Sequence, residues 1–318
     1  MIFLLIGCKN RYRDTIIMNI LLTGSNGFLG SIIKKELTKD YNINTLSRSN
    51  SFYNVSLEKE IPDFNQEFDL VIHAAGKAHS IPKTELEKKQ FDDVNFLGTS
   101  NILKGLEKSG LPKQFIFISS VAVYGQDKGY NVNEEHPLLA SDPYGLSKIK
   151  AENLVIEWCE KNSITYTILR LPLLVGQNPP GNLGAMIKAI NNGYYFNIGK
   201  GQARKSMVLC KDVALLLPVV APIGGIYNLT DGFHPNFHEL SMAISKGKKH
   251  FSLPASLAKI IGKMGDVIGD KAPVNSLKIK KIISDLVFDD SKARKLLNWN
   301  PEPVLVFLKN EKLQSDKK

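Results

Sequence analysis

A tyrosine and a lysine four residues apart, Tyr144 and Lys148, form the pair of side chains best suited to proton transfer. Residues with this spacing share one face of a helix. An ammonium beside a phenol, together with a cationic nicotinamide, favours the phenolate and so lowers the pKa of the phenol, which would let the tyrosine act as an acid or base near neutral pH. Because the spacing is common by chance, this interpretation depends on the rest of the chain.

Two serines, Ser119 and Ser120, stand at the end of an apolar run, residues 114–119, which we interpret as a buried strand. They would then lie at the carboxyl edge of the sheet, where open α/β sheets bind ligands. A serine hydroxyl at this edge can hydrogen-bond a reacting oxygen. A polar strand end without a function is the alternative.

Three glycines at GxxGxxG spacing, Gly24, Gly27 and Gly30, follow an apolar run at residues 20–23 and open a helical pattern at residues 28–37. Glycines permit a tight turn and a close approach of the backbone to a pyrophosphate, and a helix N-terminus favours that anion. The position of the turn between the first strand and the first helix predicts a dinucleotide-binding site.

Arg48 follows the predicted second strand, residues 42–46, in a polar turn without an acid. An acidic residue at this point would bind the ribose of NAD, whereas a guanidinium can bind a 2′-phosphate through two hydrogen bonds. The turn therefore favours NADP over NAD. An exposed arginine without a ligand is the alternative.

The elements that would position these residues alternate between short strands and helices. Further strands are predicted at residues 70–73 and 164–169, and further helices at residues 84–108 and 147–161. Such alternation predicts an α/β fold with a doubly wound parallel sheet.

The pattern becomes irregular after Arg170. Residues 171–180 contain three prolines and are predicted to form a loop, strands resume near residues 205–209 and 226–229, and residues 289–299 are predicted to contain a terminal helix. We expect residues 18–170, with later strands from about 203–230, to form the dinucleotide-binding domain. Residues 171–202 and 231–318 would form a smaller C-terminal α/β lobe that binds the substrate.

The first 17 residues place an apolar stretch before Lys9, Arg11 and Arg13, the reverse of the order in a secretory signal. Met18 stands directly before the first predicted strand. We therefore expect residues 1–17 to be a dispensable, disordered extension.

The 318 residues carry a net charge of +10, and 43% of them are apolar. Three scattered cysteines without a CxxC pair argue against a disulfide framework or a zinc site and favour the cytoplasm. No run approaches the roughly 18 apolar residues of a membrane span. The charge could indicate nucleic-acid binding, but no such motif accompanies it, so we favour a surface that attracts an anionic substrate.

The glycine turn, the strand-end serine and the Tyr–Lys pair, in this order, resemble the extended short-chain dehydrogenase/reductase superfamily, specifically its NAD-dependent epimerase/dehydratase branch. The resemblance covers roughly residues 19–301 and includes the segments 73–76, 94–99 and 289–299. It implies a Rossmann-type sheet, NAD or NADP as the cofactor and a nucleotide-sugar substrate.

The resemblance also implies roles for individual residues. The catalytic residues would be Ser120, Tyr144 and Lys148. The cofactor would contact Gly24, Asn26, Gly27, Phe28, Leu29, Gly30, Arg48, Ala74, Ala75, Gly76, Ser119, Tyr144, Lys148, Pro172, Leu173 and Asn95, the last as the family's structural asparagine. The substrate would contact Lys77, Ser120, Val121, Asn182 and Arg204.

This chain departs from the family pattern in two places. Family dehydratases carry an acidic pair after the strand-end hydroxyl residue, whereas Val121 and Ala122 stand here, which disfavours elimination of water. The usual Asn-Val after the sixth strand is replaced by residues 173–175.

The basic segment 204–206 resembles the diphosphate clamp of a subgroup found in bacterial surface-polysaccharide assembly.

The implied function is a nucleotide-sugar 4-epimerase that acts on a UDP-hexose or UDP-N-acetylhexosamine by hydride transfer at C4. An NAD(P)H-dependent reductase of a UDP-4-keto-6-deoxy-N-acetylhexosamine stays open, as does a non-catalytic NAD(P)-binding regulator, which would not need the serine, tyrosine and lysine. We expect no nucleic-acid partner and no stable membrane insertion, and a homodimer is left open.

Three remaining patterns carry weaker predictions. His234 and His238 are not expected to bind a metal, since no third ligand is evident near them. The aromatic residues 194–196 are expected to line the core of the lobe, with stacking on uracil as the alternative. Residues 246–281 hold nine lysines among apolar residues, which fits a solvated helical face or, as the less favoured interpretation, a helix lying on an anionic membrane.

Overall fold

The computed structural model describes residues 18–78, 82–269 and 275–311, so the expected extension at residues 1–17 lies outside the described residues. The strands are β1 (Asn19–Thr23), β2 (Asn42–Ser47), β3 (Tyr53–Asn54), β4 (Leu70–His73), β5 (Gln114–Ser120), β6 (Gly129–Val132), β7 (Thr165–Leu171), β8 (Leu173–Val175), β9 (Asn197–Ile198), β10 (Met207–Leu209), β11 (Gly225–Asn228), β12 (Ser252–Leu253) and β13 (Leu286–Phe288). The α-helices are α1 (Phe28–Leu37), α2 (Glu85–Phe91), α3 (Gly98–Ser109), α4 (Pro143–Lys161), α5 (Gly181–Asn191), α6 (Cys210–Val220), α7 (Phe237–Ile244), α8 (Ala255–Ile268), α9 (Ser276–Ile283), α10 (Ser291–Leu297) and α11 (Val304–Asn310).

Seven parallel strands form the central sheet, in the order β11-β7-β5-β4-β1-β2-β3, which confirms the predicted doubly wound fold. Strand β1 pairs with β2 on one side and with β4 on the other, so the order of the strands reverses at β1. In open α/β sheets, ligands bind outside the carboxyl ends of the strands at such a reversal. The site is therefore expected where β1, β4 and β5 end.

The alternation of side chains along each strand divides the apolar residues between two cores. In β1, Ile20 and Leu22 point to the face covered by α1 and α6, whereas Leu21 points to the face covered by α3 and α4. Strands that are covered on both faces are apolar throughout, which is why the sequence pattern located the central strands well.

The C-terminal lobe rests on short parallel strand pairs, β8 with β10, β9 with β12 and β6 with β13. A third apolar core lies between α5, α7 and α11. The loop predicted for residues 171–180 is therefore wrong for Leu173–Val175, because these residues pair with Met207–Leu209. For the same reason β10 lies outside the central sheet, to which the sequence had assigned it.

Helix α10 packs against the central sheet, although residues 231–318 were expected to belong to the lobe. Ala293, Leu297 and Trp299 share an apolar core with Tyr227 of β11. The indole Nε1 of Trp299 also donates a hydrogen bond to the carbonyl oxygen of Thr230, 2.9 Å away. These contacts bury one side of the helix and so determine where it packs.

Helix α4 begins at Pro143, four residues before its predicted start. The carboxylate of Asp142 accepts hydrogen bonds from the backbone N–H groups of Tyr144 and Gly145, both at 3.1 Å, and proline fits the first position of a helix. Tyr144 therefore lies in the first turn and Lys148 one turn later. Neither α4 nor any other helix of the described residues is long and apolar enough to cross a membrane.

Candidate functional site

Ser120 and Tyr144 meet at the carboxyl end of β5. Ser120 is the last residue of the strand, and its hydroxyl accepts a hydrogen bond from the backbone N–H of Ala122 at 3.2 Å. The phenol of Tyr144 lies near enough to the same hydroxyl for that hydroxyl to influence its pKa. The ring of Tyr144 is half-buried and lies 6.0 Å, centre to centre, from the ring of Phe91. The predicted serine–tyrosine pair is thus brought together beside an apolar wall.

Burial raises the pKa of the Tyr144 phenol above its ordinary value. The polar interaction with the Ser120 hydroxyl opposes this shift, and the negative charge of Asp142 adds to it. The lowered pKa is expected with both an ammonium and a cationic nicotinamide beside the phenol. In the protein alone, Lys148 is not among the groups that shift this pKa.

The ammonium of Lys148 points toward β5. It donates a hydrogen bond to the carbonyl oxygen of Ile118 at 2.8 Å and lies 4.6 Å from the ring centre of Phe117. Burial lowers the pKa of Lys148 to about 8, and the negative charge of Glu152 opposes that shift. The lysine therefore lies beside the site as a buried cation, bonded to the strand that carries Ser120.

The glycine turn comes into close contact with the segment that follows β4. Gly24 has a φ of +70°, and a Cβ at this position would lie 2.7 Å from the backbone of Ala75. A Cβ on Gly30 would overlap the carbonyl group of Gly24. Both positions therefore require glycine, and the close fit brings Ala74 and Ala75 against the turn.

The start of α1 can accept an anion. Its N-cap, Gly27, has no side chain to satisfy the first N–H groups of the helix, and the first turn holds no acidic residue. Phe28 and Leu29 begin that turn, and the ring of Phe28 would contact a Cβ on Gly176, the residue after β8. Free N–H groups and the helix dipole favour a phosphate at this position. The residues present fit the pyrophosphate of a dinucleotide.

Arg48 lies next to the glycine turn. The hydroxyl of Ser47 at the end of β2 bonds to the hydroxyl of Ser25 at 3.0 Å and accepts a hydrogen bond from the N–H of Asn26 at 3.3 Å. The amide of Asn26 donates to the carbonyl oxygen of Ser49 at 2.5 Å. Arg48 stands between Ser47 and Ser49 and is exposed. Its position is therefore compatible with a contact to the far phosphate of a dinucleotide.

Asn95 joins the segment after β4 to helix α4. Its amide nitrogen donates to the carbonyl oxygen of Lys77 at 3.1 Å and to the hydroxyl of Ser147 at 2.9 Å, and its amide oxygen accepts from the N–H of Lys77 at 2.7 Å. Ser147 in turn donates to the carbonyl oxygen of Tyr144 at 2.8 Å. A Cβ on Gly76 would lie 3.3 Å from the Lys148 ammonium. The asparagine thus links the segment after β4 to the start of α4, where Tyr144 lies.

The helix that carries Asn95 differs from the prediction. A π-helical turn, Asp92–Leu97, interrupts the helix predicted over residues 84–108 and separates α2 from α3. Such turns occur often at functional sites. The π-helical turn contains the buried amide of Asn95 that bonds Lys77 and Ser147.

A buried ion pair beneath the site was not predicted from the sequence. Arg170 donates through Nη2 to Oε2 of Glu152 at 2.8 Å, and the two side chains are 5% and 1% exposed. Ser119 was predicted as a cofactor contact. Its hydroxyl donates a hydrogen bond to Glu152 at 2.5 Å and therefore supports the ion pair. The spacing of the sequence could have indicated this carboxylate, because Glu152 lies four residues after Lys148 and therefore on the same face of α4.

The predicted substrate residues lie on several elements. Asn182 is exposed in the first turn of α5, and Val121 begins a short 3-10 turn after β5. The ammonium of Lys77 donates to the side chain of Gln90 at 2.9 Å. Pro172 and Leu173 stand where β7 passes into β8.

Arg204 is held by the lobe. Its guanidinium donates to the carbonyl oxygen of His234 at 3.0 Å and lies 3.5 Å from the carboxylate of Glu239. Within the described part of the chain, no hydrogen bond links Arg204 or Asn182 directly to Ser120, Tyr144 or Lys148. The substrate-binding roles of Arg204 and Asn182 therefore stay predictions.

Comparison with known proteins places this arrangement in a family. The model of the NAD dependent epimerase/dehydratase family matches residues 20–229. The N-acetyl-alpha-D-glucosaminyl-diphospho-ditrans,octacis-undecaprenol 4-epimerase of Escherichia coli O157:H7 is 31% identical over 299 residues, 86% of this chain and 88% of the relative. The UDP-glucose 4-epimerase of Vibrio cholerae is 27% identical over 312 residues, 90% of this chain and 92% of the relative.

A solved structure has the same fold over almost the whole chain. The UDP-glucose 4-epimerase of Thermus thermophilus, in complex with NAD, superposes with a TM-score of 0.71 at 20% identity, covering 92% of this chain and 97% of that one. The family predicted from the order of the motifs is confirmed by the match over residues 20–229. This protein belongs to the NAD-dependent epimerase/dehydratase family.

Proposed function

We propose that this protein interconverts two C4 epimers of a hexose or N-acetylhexosamine linked to a diphosphate, with NAD or NADP as a recycled cofactor. The observation that carries the proposal is the meeting of Ser120 and Tyr144 at the end of β5, with Lys148 buried one helical turn away. This group stands at the edge of the sheet where the glycine turn can hold a dinucleotide. The family match and the two 4-epimerase relatives support it.

The residues that would hold the cofactor come from three segments. The glycine turn, with Gly24, Gly27 and Gly30, would bind the pyrophosphate, and Arg48 would lie near the adenosine ribose. The segment 74–76 and Lys148 would flank the nicotinamide ribose. When bound, the nicotinamide supplies a reversible hydride acceptor and, in its oxidised form, a positive charge.

Tyr144 would move the proton. As a phenolate it takes the proton of the 4-hydroxyl while the C4 hydride leaves, and it returns the proton when the 4-keto sugar is reduced on its other face. The Ser120 hydroxyl would bond the same sugar oxygen. Burial raises the pKa of the phenol in the protein alone, and a nearby cation lowers it again, so the base would form when oxidised cofactor is bound.

Elimination of water is disfavoured by the residues next to Ser120. Val121 and Ala122 follow it in the 3-10 turn, and neither has a group that could protonate a leaving hydroxyl. Epimerisation and ketone reduction need no acid at these two positions, because the tyrosine would move the proton and the nicotinamide would supply the hydride chemistry, and both reactions are compatible with the site. The choice between them depends on whether the cofactor is regenerated within each turnover.

The carrier of the sugar is the second open point. The name of the Escherichia coli relative specifies an undecaprenyl diphosphate, and that of the Vibrio cholerae relative specifies UDP. A sugar on a diphosphate is common to both. A basic residue such as Arg204 is suited to bind that group in either substrate.

The test is an epimerisation assay with each carrier. Purified protein is incubated with UDP-N-acetylglucosamine, or with N-acetylglucosaminyl diphosphate linked to a polyprenol, and a catalytic amount of NAD or NADP. The proposal expects the 4-epimer to accumulate to equilibrium with no net change in cofactor absorbance at 340 nm. Stoichiometric consumption of NADPH by a 4-keto sugar, without epimer formation, would instead support a reductase.

Arg48 is expected to set the preference for the cofactor phosphate. Arg48→Ala should weaken binding of NADP by about tenfold or more and change binding of NAD little, because a guanidinium–phosphate contact is charge-assisted. The dissociation constants of both cofactors can be measured by fluorescence titration. Lys39→Ala is a matched control because this exposed lysine is paired with Glu36 on α1. Equal losses for both cofactors would contradict the role.

A further inference from the structure

Helix α8 buries its small residues and exposes its large apolar ones. Ala258, Gly262 and Gly265 are buried, and a Cβ on Gly262 would lie 3.1 Å from Cα of Ser276, so the helix packs closely on α9. A second face of the same helix is apolar but exposed. It comprises Leu257, Ile260, Ile261, Met264, Val267 and Ile268, which are 45%, 55%, 42%, 61%, 89% and 63% exposed.

Exposed aromatic side chains stand next to the start of α8. Phe251 is 71% exposed, and its carbonyl oxygen accepts a hydrogen bond from the N–H of Asn197 in the neighbouring strand at 2.8 Å. Phe196 lies directly before that strand and is 46% exposed. Tyr194 is also exposed, so the prediction that residues 194–196 line the lobe core holds only for Tyr195, which packs on it.

The same region has a large excess of positive over negative charge. Residues 246–281 contain nine lysines and two aspartates, a formal charge of +7 out of the total of +10. On α8, Lys259 and Lys263 lie on a third face, next to the apolar one. A helix with an apolar face bordered by lysines is suited to the interface of an anionic membrane, where the lysines meet the headgroups.

We infer that the exposed face of α8, together with Phe196 and Phe251, docks on the surface of an anionic phospholipid membrane. The charge of the surrounding lysines selects this partner over a second copy of the same chain, since two copies would bring like charges together. Helix α8 has 14 residues, too few to span a bilayer, so the helix lies along the membrane surface. The binding is peripheral and reversible.

Docking at this face would also bring the lobe side of the site near the lipid. Helix α9 packs on α8, and at its end the carbonyl oxygens of Lys281 and Ser284 both accept hydrogen bonds from Lys205 at 2.9 Å. Lys205 is the neighbour of Arg204, the proposed diphosphate contact. Packing of α8 on α9 and the two hydrogen bonds of Lys205 therefore connect the membrane face to the residue next to Arg204.

The test is sedimentation of the full chain with vesicles of phosphatidylglycerol and phosphatidylethanolamine, compared with phosphatidylcholine alone. We expect binding to the anionic vesicles that weakens with salt, and at least about tenfold weaker binding to the neutral ones. Ile260→Ser, Met264→Ser and Val267→Ser, combined in one variant, should weaken binding to the anionic vesicles by about tenfold or more. Lys259→Gln with Lys263→Gln should do the same and reduce the dependence on salt.

A matched control distinguishes binding by this face from nonspecific binding by any exposed apolar residue. Leu215→Ser with Val219→Ser alters two apolar residues on α6 that are 50% and 53% exposed, and this variant should bind vesicles like the unaltered chain. Equal binding to both kinds of vesicle, or an equal loss in the α6 variant, would overturn the inference. So would a triple variant that changes the oligomeric state in solution while keeping its vesicle binding.

Epimerase activity measured without vesicles tests the proposed function separately from the docking surface. The α8 variants should retain the turnover of the unaltered chain on water-soluble UDP-N-acetylglucosamine, if that compound is a substrate. If the protein binds vesicles but neither the unaltered chain nor any variant forms the 4-epimer, only the proposed function is refuted. Epimerisation without vesicle binding would refute the docking surface alone.

Discussion

Replacing Tyr144 with phenylalanine is expected to lower kcat for epimerisation by about 10²–10⁴-fold, because the only change is the loss of the group that moves the proton. The ring would still pack against Phe91. Cofactor binding should therefore change little. Steady-state kinetics with a C4 epimer substrate, combined with a cofactor titration of the same variant, would measure both quantities.

Tyr130→Phe is the matched control, since Tyr130 is 65% exposed on β6 and should keep full activity. A Tyr144→Phe variant that retains more than about a tenth of kcat would contradict the assignment of this phenol as the acid–base group. A variant that loses activity only because it no longer binds the cofactor would contradict it as well.

Replacing Glu152 with glutamine is expected to lower the free energy of unfolding by about 3–5 kcal/mol, because the guanidinium of Arg170 would remain buried without its counter-charge. The hydroxyl of Ser119 and the Nε and Nη2 groups of Arg170 all donate to this carboxylate. Urea unfolding followed by circular dichroism gives the difference directly. Glu157→Gln, on the exposed face of the same helix, should lie within about 0.5 kcal/mol of the unaltered chain.

A double variant tests the cause of that loss. Glu152→Met combined with Arg170→Met removes both charges, and apolar pairs of similar volume often replace buried ion pairs without a loss of stability. We expect it to be more stable than Glu152→Gln. A loss of less than about 1 kcal/mol in Glu152→Gln would contradict the claim that the buried charge of Arg170 depends on Glu152 for compensation.

The central sheet and the glycine turn could be predicted because their signals are local. Strands buried on both faces are unbroken apolar runs, and this located Leu70–His73 at its observed bounds. Helix-like apolar spacing after the glycine turn located Phe28–Leu37. The start of α4 was missed because the prediction began the helix at Ser147, although Asp142 is the N-cap and Pro143 stands at the first position of the helix. Capping residues carried information that the hydrophobic period did not.

The lobe could not be predicted in the same way because its order comes from distant partners. The two-residue strands β9 and β12 pair across more than fifty residues, and so short a strand has no pattern of its own. The loop assigned to residues 171–180 failed for this reason at Leu173–Val175. Pairing between distant segments is a property of the folded chain.

In the candidate site, the residue types could be predicted but not their orientation. The spacing of Tyr144 and Lys148 put them on one face of a helix, yet the ammonium of Lys148 bonds to β5. Burial, which depends on tertiary packing, then raises the pKa of Tyr144. Likewise, Ser119 and Ser120 are neighbours in sequence, but the hydroxyl of Ser119 donates to Glu152, whereas the hydroxyl of Ser120 lies near Tyr144 and influences its pKa.

The most direct test of the proposed chemistry follows the hydrogen on C4 of the sugar. N-acetylglucosamine deuterated at C4, carried on UDP and in parallel on a polyprenyl diphosphate, is incubated in ordinary water with the protein and catalytic NAD or NADP. Hydride removal and return at one carbon predict that the N-acetylgalactosamine product keeps its deuterium, as read by nuclear magnetic resonance. Loss of the deuterium to solvent, or no 4-epimer from either carrier, would contradict 4-epimerisation by hydride transfer.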